Sequence, residues 1–261
     1  MGYAAGDLKR DALACDNPKD FQVRIAGCTA LLKNPKLPVK FRPIALWQRA
    51  QGYVKSGQAP LALPDLDEAI RLNPNNPSFY IDRASAYVFV GPMERVIEDA
   101  NRALKLNPKQ ANAYSALAQA YRSKGDVDSA LDAINKGLKL DPKQGAGLTV
   151  RAMLWASKKE FAFALADADE AVKLFGKTGY PYAIRCSVFS DMASFDSAIA
   201  DCTKAIEMGQ GTGAANNSAV LHDRAAVYFK KGDFDKAMID FDGSLRLDPQ
   251  NAASYIERAE V

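Results

Sequence analysis

The chain has 261 residues, of which 48% are hydrophobic and 25% are charged, as is typical of a folded globular protein. Its formal net charge of +3 comes from 34 Lys and Arg against 31 Asp and Glu, a balance that excludes a strongly basic nucleic-acid-binding face. No apolar run approaches the length of about 18 residues that a membrane span requires. A single histidine, His222, excludes a multi-histidine metal site.

The N-terminal region, residues 1–42, predicts a degenerate helical hairpin. Residues 21–33 begin with FQVRIAGCTALL and parallel the run FDSAIADCTKAI at 195–206 in their apolar and small positions. We therefore expect helices over 5–15 and 21–33. A proline-containing linker, residues 34–42, follows them.

Residues 43–251 repeat with a period of 34 residues. Four of the units share an ending of a basic residue, Leu, Asn or Asp, and Pro, which closes at Pro74, Pro108, Pro142 and Pro249, while Gly176 and Gln210 replace the proline in the other two. The last interval is 107 residues, or three periods plus five, so six units fit the region with a five-residue insertion near 209–217. Self-similarity at this period indicates a repeat architecture.

Aligned columns show what each unit contains. A small residue recurs in the first half of every unit, at Ala50, Ala84, Ala118, Ala152, Cys186 and Ala225. An aromatic residue follows three positions later, at Tyr53, Tyr87, Tyr121, Trp155, Phe189 and Tyr228. Apolar residues recur at spacings of three and four, and a turn signal divides most units, so each unit predicts a helix, a tight turn and a second helix. One hairpin cannot bury its apolar face alone, so neighbouring hairpins must stack.

This pattern resembles the tetratricopeptide repeat (TPR) over residues 43–251. The resemblance implies an all-α fold, a right-handed superhelical solenoid of stacked antiparallel helix hairpins. Lys159 and Ala193 depart from it, because they stand where other units have the turn glycine. Pro60 and Pro64 both fall in the second helix of the first unit, so we expect that helix to start late, near Pro64, or to be kinked.

Five units carry an Arg and an Asp sixteen residues apart. These pairs are Arg49 and Asp65, Arg83 and Asp99, Arg151 and Asp167, Arg185 and Asp201, and Arg224 and Asp240. The third unit has Leu117 and Ala133 at these places, so both charges are lost together. We interpret the pairs as structural ion pairs between the two helices of one hairpin, with a ligand-binding role as the alternative.

Residues 252–261 restart the pattern. They predict either a capping helix or the first helix of a truncated seventh unit. At the other end, the run ACDNPKDFQVRIAGCTALLK resembles the start of bacterial TPR proteins that are usually exported and carry two cysteines there. This implies an extracytoplasmic location, periplasmic or secreted, in a bacterium; the alternative is cytoplasmic.

The resemblance to exported TPR proteins bears on whether the four cysteines are oxidised or reduced. On facing helices, Cys15 and Cys28 could form a disulfide, the alternative being two buried thiols. Cys186 and Cys202 lie in core columns where other units have alanine, an aliphatic residue or Phe241, so we expect them to be buried free thiols.

The chain shows no catalytic constellation. His222 has no partner that spacing identifies, so we predict a protein that is not an enzyme and has no cofactor. Candidate groove residues flank the core columns on the first helices, at Trp47, Gln51, Ile81, Ser85, Ser115, Gln119, Arg122 and Met153. They lack the Lys and Asn pattern with which TPR domains grip a peptide's terminal carboxylate.

We therefore predict a protein–protein interaction scaffold that binds a peptide or protein segment in a concave groove. The alternative is a self-assembling structural protein, a homo-oligomer that associates through the exposed ends of the stack.

Overall fold

The structure is a computed structural model that describes residues 5–209 and 214–261. Every regular element within these residues is a helix, which confirms the predicted all-α fold. None of these helices is both long and apolar enough to cross a membrane. The chain divides into two compact units, Met1–Leu140 and Asp141–Val261, which are called unit 1 and unit 2.

Unit 1 is a stack of four antiparallel hairpins in which each helix packs against the next. Its helices are α1 Ala5–Cys15, α2 Phe21–Lys33, α3 Arg42–Lys55, α4 Ala59–Leu72, α5 Pro77–Val90, α6 Met93–Leu106, α7 Ala111–Ser123 and α8 Val127–Leu140. A short 3-10 turn at Val39–Phe41 leads from the linker into α3. The first two helices have the bounds that the sequence predicts for the N-terminal hairpin.

Unit 2 contains three hairpins and one further helix. Its helices are α9 Gly145–Ser157, α10 Phe161–Phe175, α11 Tyr180–Asp191, α12 Phe195–Gly209, α13 Ala214–Lys231, α14 Phe234–Leu247 and α15 Ala252–Arg258. The predicted insertion at 209–217 lies partly outside the described residues, and its last residues extend α13 to 18 residues. The helix expected in 252–261 is α15, which packs on α13 and α14.

The small columns form the seam between the two helices of each hairpin. The first column, Ala50 to Ala225, is fully buried in all six repeats. The second column is equally buried and consists of Ala62, Val96, Ala130, Ala164, Ala198 and Ala237. Small side chains let the paired helices approach closely, and the half-buried aromatic column packs beside them.

The second helix of the first repeat begins earlier than predicted. Helix α4 starts at Ala59 and continues through Pro64 to Leu72, so the expected start near Pro64 is wrong. Pro60 lies in the first turn, where its missing N–H would have no helical partner. Pro64 removes the hydrogen bond to the carbonyl of Pro60, but both prolines are exposed and water can solvate that carbonyl.

Two disulfides each cross-link one hairpin. Cys15 and Cys28 join α1 to α2, with their Cα atoms 4.4 Å apart. Cys186 and Cys202 join α11 to α12 with a Cα separation of 5.4 Å, so the prediction of free thiols there is wrong. These two cysteines are sixteen residues apart and directly follow Arg185 and Asp201. The spacing that places an Arg opposite an Asp therefore also places these two sulfurs opposite each other.

The turns between paired helices require a left-handed backbone. Gly125 adopts a φ of 78°, while Lys159 and Ala193 adopt 61° and 56° at the equivalent turns of their hairpins. A side chain in this region is strained by about 1–2 kcal/mol, because Cβ approaches the following carbonyl oxygen.

We expect Ala193→Gly to raise the free energy of unfolding by about 1 kcal/mol, because glycine relieves that strain. Equilibrium urea unfolding measures the change. Gly125→Ala is the matched control and should lower the free energy by a similar amount, since a Cβ there meets no atom within 4 Å and only φ opposes it. A destabilised Ala193→Gly variant would contradict the assignment of strain.

Candidate partner-binding surfaces

The five predicted Arg and Asp partners contact each other within their own hairpins. In the second repeat, Arg83 Nη2 lies 2.7 Å from Asp99 Oδ1 and Nε lies 2.8 Å from Oδ2. The same two-point contact joins the other pairs, with distances from 2.6 to 2.9 Å. The carboxylates are buried and each arginine is mostly covered, so these are partly desolvated, charge-assisted pairs.

Arg49, Arg83, Arg185 and Arg224 also contact the preceding hairpin, a feature that sequence reasoning missed. Arg83 Nη1 lies 2.6 Å from Asp67 on α4, and Arg185 Nη1 lies 2.7 Å from Asp169 on α10. In the same way, Arg49 Nη1 donates to the hydroxyl of Thr29, and Arg224 Nη1 donates to the hydroxyl of Thr203. Each of these guanidinium groups therefore joins two successive hairpins as well as the two helices of its own.

The hydrogen bonds that Arg83 donates to Asp99, and secondarily to Asp67, raise the pKa of Arg83 above its ordinary value, although burial opposes them. The guanidinium is therefore permanently charged. The N–H groups of Arg83 that contact carboxylates join the two helices of its own hairpin and the preceding hairpin. The structural interpretation of the ion pairs therefore accounts for their geometry. A ligand-binding role is not needed to explain these ion pairs.

In unit 1, two predicted groove residues converge on a third that was not predicted. Trp47 Nε1 donates to Asp82 Oδ2 at 2.5 Å, and Gln51 Nε2 donates to the same oxygen at 2.8 Å. The Trp47 ring also packs on Phe79, with ring centroids 5.8 Å apart. Burial raises the pKa of Asp82, while the two donors oppose that shift. The indole of Trp47 therefore serves the contact between successive first helices.

The other predicted groove residues differ in how much surface they present. Ile81 and Ser115 are each 5% exposed, and Ser115 donates to the carbonyl of Ala111 in its own helix. These two residues are buried and so offer almost no surface to a partner. Ser85 and Gln119 are half-buried and Arg122 is exposed.

Unit 2 contains an open groove on its first helices. Its volume is about 660 Å³, and its walls come from α9, α11, α12 and α13. Met153, the predicted groove residue of this unit, lies in the wall together with Ala183, Ile184 and Val220. Ser187 and Asp223 add polar groups at its edge. The groove is predominantly apolar, which suits an apolar side chain or a short helix better than a charged tail.

The side chain of His222, on α13, lies between helices α14 and α15 and contacts both. Its Nδ1 lies 3.1 Å from Ser254 Oγ, and its ring packs on Phe241 with centroids 5.7 Å apart. Ser254 is itself buried and lies 2.9 Å from the hydroxyl of Ser244. This polar network fastens α15 to the last hairpin, so the histidine serves packing within unit 2.

Stacked helix hairpins with these buried small columns define a helical repeat protein, and such proteins use extended surfaces for binding. The tetratricopeptide repeat model matches residues 111–144 and 218–251, which correspond to the third and sixth predicted units. These two segments of the chain are therefore tetratricopeptide repeats. The comparison with curated proteins found no match.

Several solved structures share the fold, two of them described as TPR proteins. A chain of the APC/C hetero-tetramer Cut9–Hcn1 superposes with a TM-score of 0.76 at 14% identity, over 97% of this chain and 48% of that one, so this chain spans about half its length. A tetratricopeptide repeat protein from Parabacteroides merdae gives 0.72 at 17% identity, over 97% and 96%. YrrB, described as a TPR protein with an unusual peptide-binding site, gives 0.50 at 19%, over 74% and 97%.

Proposed function

We propose that this protein is a non-catalytic interaction scaffold that binds a peptide or protein segment through the apolar groove of unit 2. The observation that carries the proposal is the groove of about 660 Å³ between α9, α11, α12 and α13. Its wall combines Met153, Ile184 and Val220 with only a few polar groups. The peptide-binding site named for YrrB, a protein of similar fold, agrees with this kind of role.

A matched pair of variants tests the groove. Ala183 lies in its wall, whereas Ala200 is exposed on the second helix of the same hairpin. Peptides selected from a random display library against the intact chain provide the probe. We expect Ala183→Glu to weaken their binding at least about tenfold, because a carboxylate would be desolvated against apolar side chains, and Ala200→Glu to leave it unchanged.

Circular dichroism melts of both variants control for loss of fold. Selected peptides that bind Ala183→Glu as tightly as the parent chain would contradict the groove proposal. Sedimentation velocity over a range of concentrations tests the alternative, self-association through the ends of the stack, which stays a prediction.

We also propose an extracytoplasmic location. Its support is the pair of disulfides, Cys15–Cys28 and Cys186–Cys202, because such bonds persist in oxidising compartments. Alkylation of the unfolded protein, isolated from its native cells under acid quench, should then find all four cysteines blocked. Four reactive thiols would contradict the proposal.

A further inference from the structure

The third repeat contains a pocket where the other repeats hold an arginine. The pocket has a volume of about 470 Å³ and lies in unit 1 between α6, α7 and α8. Its wall includes Leu117 and Ala133, the residues that replace the Arg and the Asp of the ion pair. It is separate from the apolar groove of unit 2 and does not depend on the function proposed for that groove.

The remaining walls match the surroundings of a bound guanidinium elsewhere in the chain. Arg185 lies over the rings of Tyr182 and Phe189, at 5.7 and 5.9 Å from their centroids, and its Nη1 contacts Asp169. Arg83 lies 5.8 Å from the ring centroid of Tyr80.

Each of these residues has an equivalent in the third repeat, one or two 34-residue periods away in the sequence. Tyr114 stands at the place of Tyr80 and Tyr182, Tyr121 at that of Phe189, and Asn101 at that of Asp169. All three line the pocket. The third repeat has therefore kept the aromatic rings and a polar acceptor but has lost the cation that they surround.

The charges around the opening favour a cation. Asp128 and Asp132 both line the pocket, as does Lys136, whose Nζ lies 2.6 Å from Asp132. The carboxylates of Asp128 and Asp132 both attract an incoming cation, and Asp132 already holds one ammonium, that of Lys136. An incoming guanidinium has enough N–H groups to share Asp132 with Lys136 while its plane lies against a tyrosine ring.

We propose that this pocket binds the guanidinium group of an arginine side chain presented by a partner protein. Arginine suits it better than lysine, because the guanidinium is planar, weakly hydrated and stacks on aromatic rings. In the second and fifth repeats, the rings equivalent to those of the pocket wall surround an arginine of the chain itself, so walls of this kind accommodate a guanidinium. The partner's arginine would complete in the third repeat the contact that the other repeats make internally.

The probe is N-acetyl-L-arginine amide, titrated into the intact chain and followed by backbone amide chemical shifts in NMR. We expect saturable shifts at Tyr114, Leu117, Tyr121 and Ala133, with a dissociation constant in the millimolar range, on the order expected for a single side chain. N-acetyl-L-citrulline amide has nearly the same shape without the charge and should bind about tenfold more weakly. Equal binding of citrulline would overturn the proposal.

The chain itself provides the matched variant. Leu117→Arg combined with Ala133→Asp introduces the ion pair of the neighbouring repeats, so the pocket should be filled from within and the arginine probe should no longer shift these amides. Tyr121→Leu leaves the pocket open and should weaken binding about tenfold through loss of a ring face. Absence of saturable shifts in the parent chain, or undiminished binding by the double variant, would refute the proposal.

Discussion

We expect Arg83→Leu to lower the free energy of unfolding by about 3–5 kcal/mol, because it leaves Asp99 as an unpaired buried carboxylate. Asp99 is only 3% exposed and accepts two hydrogen bonds from that guanidinium. The substitution also removes the contact of Arg83 with Asp67 on the preceding hairpin. Equilibrium denaturation with urea measures the loss.

The natural third repeat supplies the control for this experiment. Arg83→Leu combined with Asp99→Ala reproduces the Leu117 and Ala133 pair of that repeat and leaves no buried charge. We expect the double variant to recover most of the loss and to lie within about 1 kcal/mol of the parent chain, since buried ion pairs replaced by apolar groups are often near neutral. A double variant as unstable as Arg83→Leu would show that the cost is not the unpaired carboxylate.

We expect Cys186→Ala combined with Cys202→Ala to lower the free energy of unfolding by about 3 kcal/mol, the chain-entropy value for a loop of this length. The disulfide closes a separation of 16 residues between α11 and α12. Alanine fits both positions without a new packing arrangement, because Ala152 and Ala168 occupy the equivalent places of the fourth repeat and are fully buried. The loss therefore reports the cross-link rather than a cavity.

The single variants separate these two causes. Either Cys186→Ala or Cys202→Ala breaks the same bond, so each alone should cost nearly as much as both together. Mass spectrometry after alkylation should find one free thiol in each single variant and none in the double. Single costs that add up to the double cost would indicate lost packing instead of a lost disulfide.

The sequence predicted much of the fold but less of the binding surface. A separation of sixteen residues recurs in five repeats, so the pairing of Arg83 with Asp99 could be read from spacing alone. Asp67 lies sixteen residues before Arg83 and also contacts it. Spacing does not indicate this second contact, because pairing within one hairpin already accounts for the recurring Arg and Asp positions. Cys186 and Cys202 share the spacing as well, but their core positions favoured free thiols.

The candidate groove illustrates a different kind of error. The sequence predicts Trp47 and Gln51 as groove residues, and Asp82 on the next first helix engages both. Ile81 and Ser115 were placed in the groove and are buried. Helical register shows on which side of a helix a residue lies, but the depth of its burial depends on side chains that other hairpins contribute.

The 34-residue period and the small columns were sufficient to establish helices, hairpins and seams, because these features depend on contacts between residues close in the chain. Only the tertiary structure revealed the unit 2 groove and the pocket beside Leu117. Both are spaces between three or more helices, and their volume depends on how far side chains from separate segments extend towards each other. Residue spacing contains no measure of that distance, and so the surfaces that a partner would contact required coordinates.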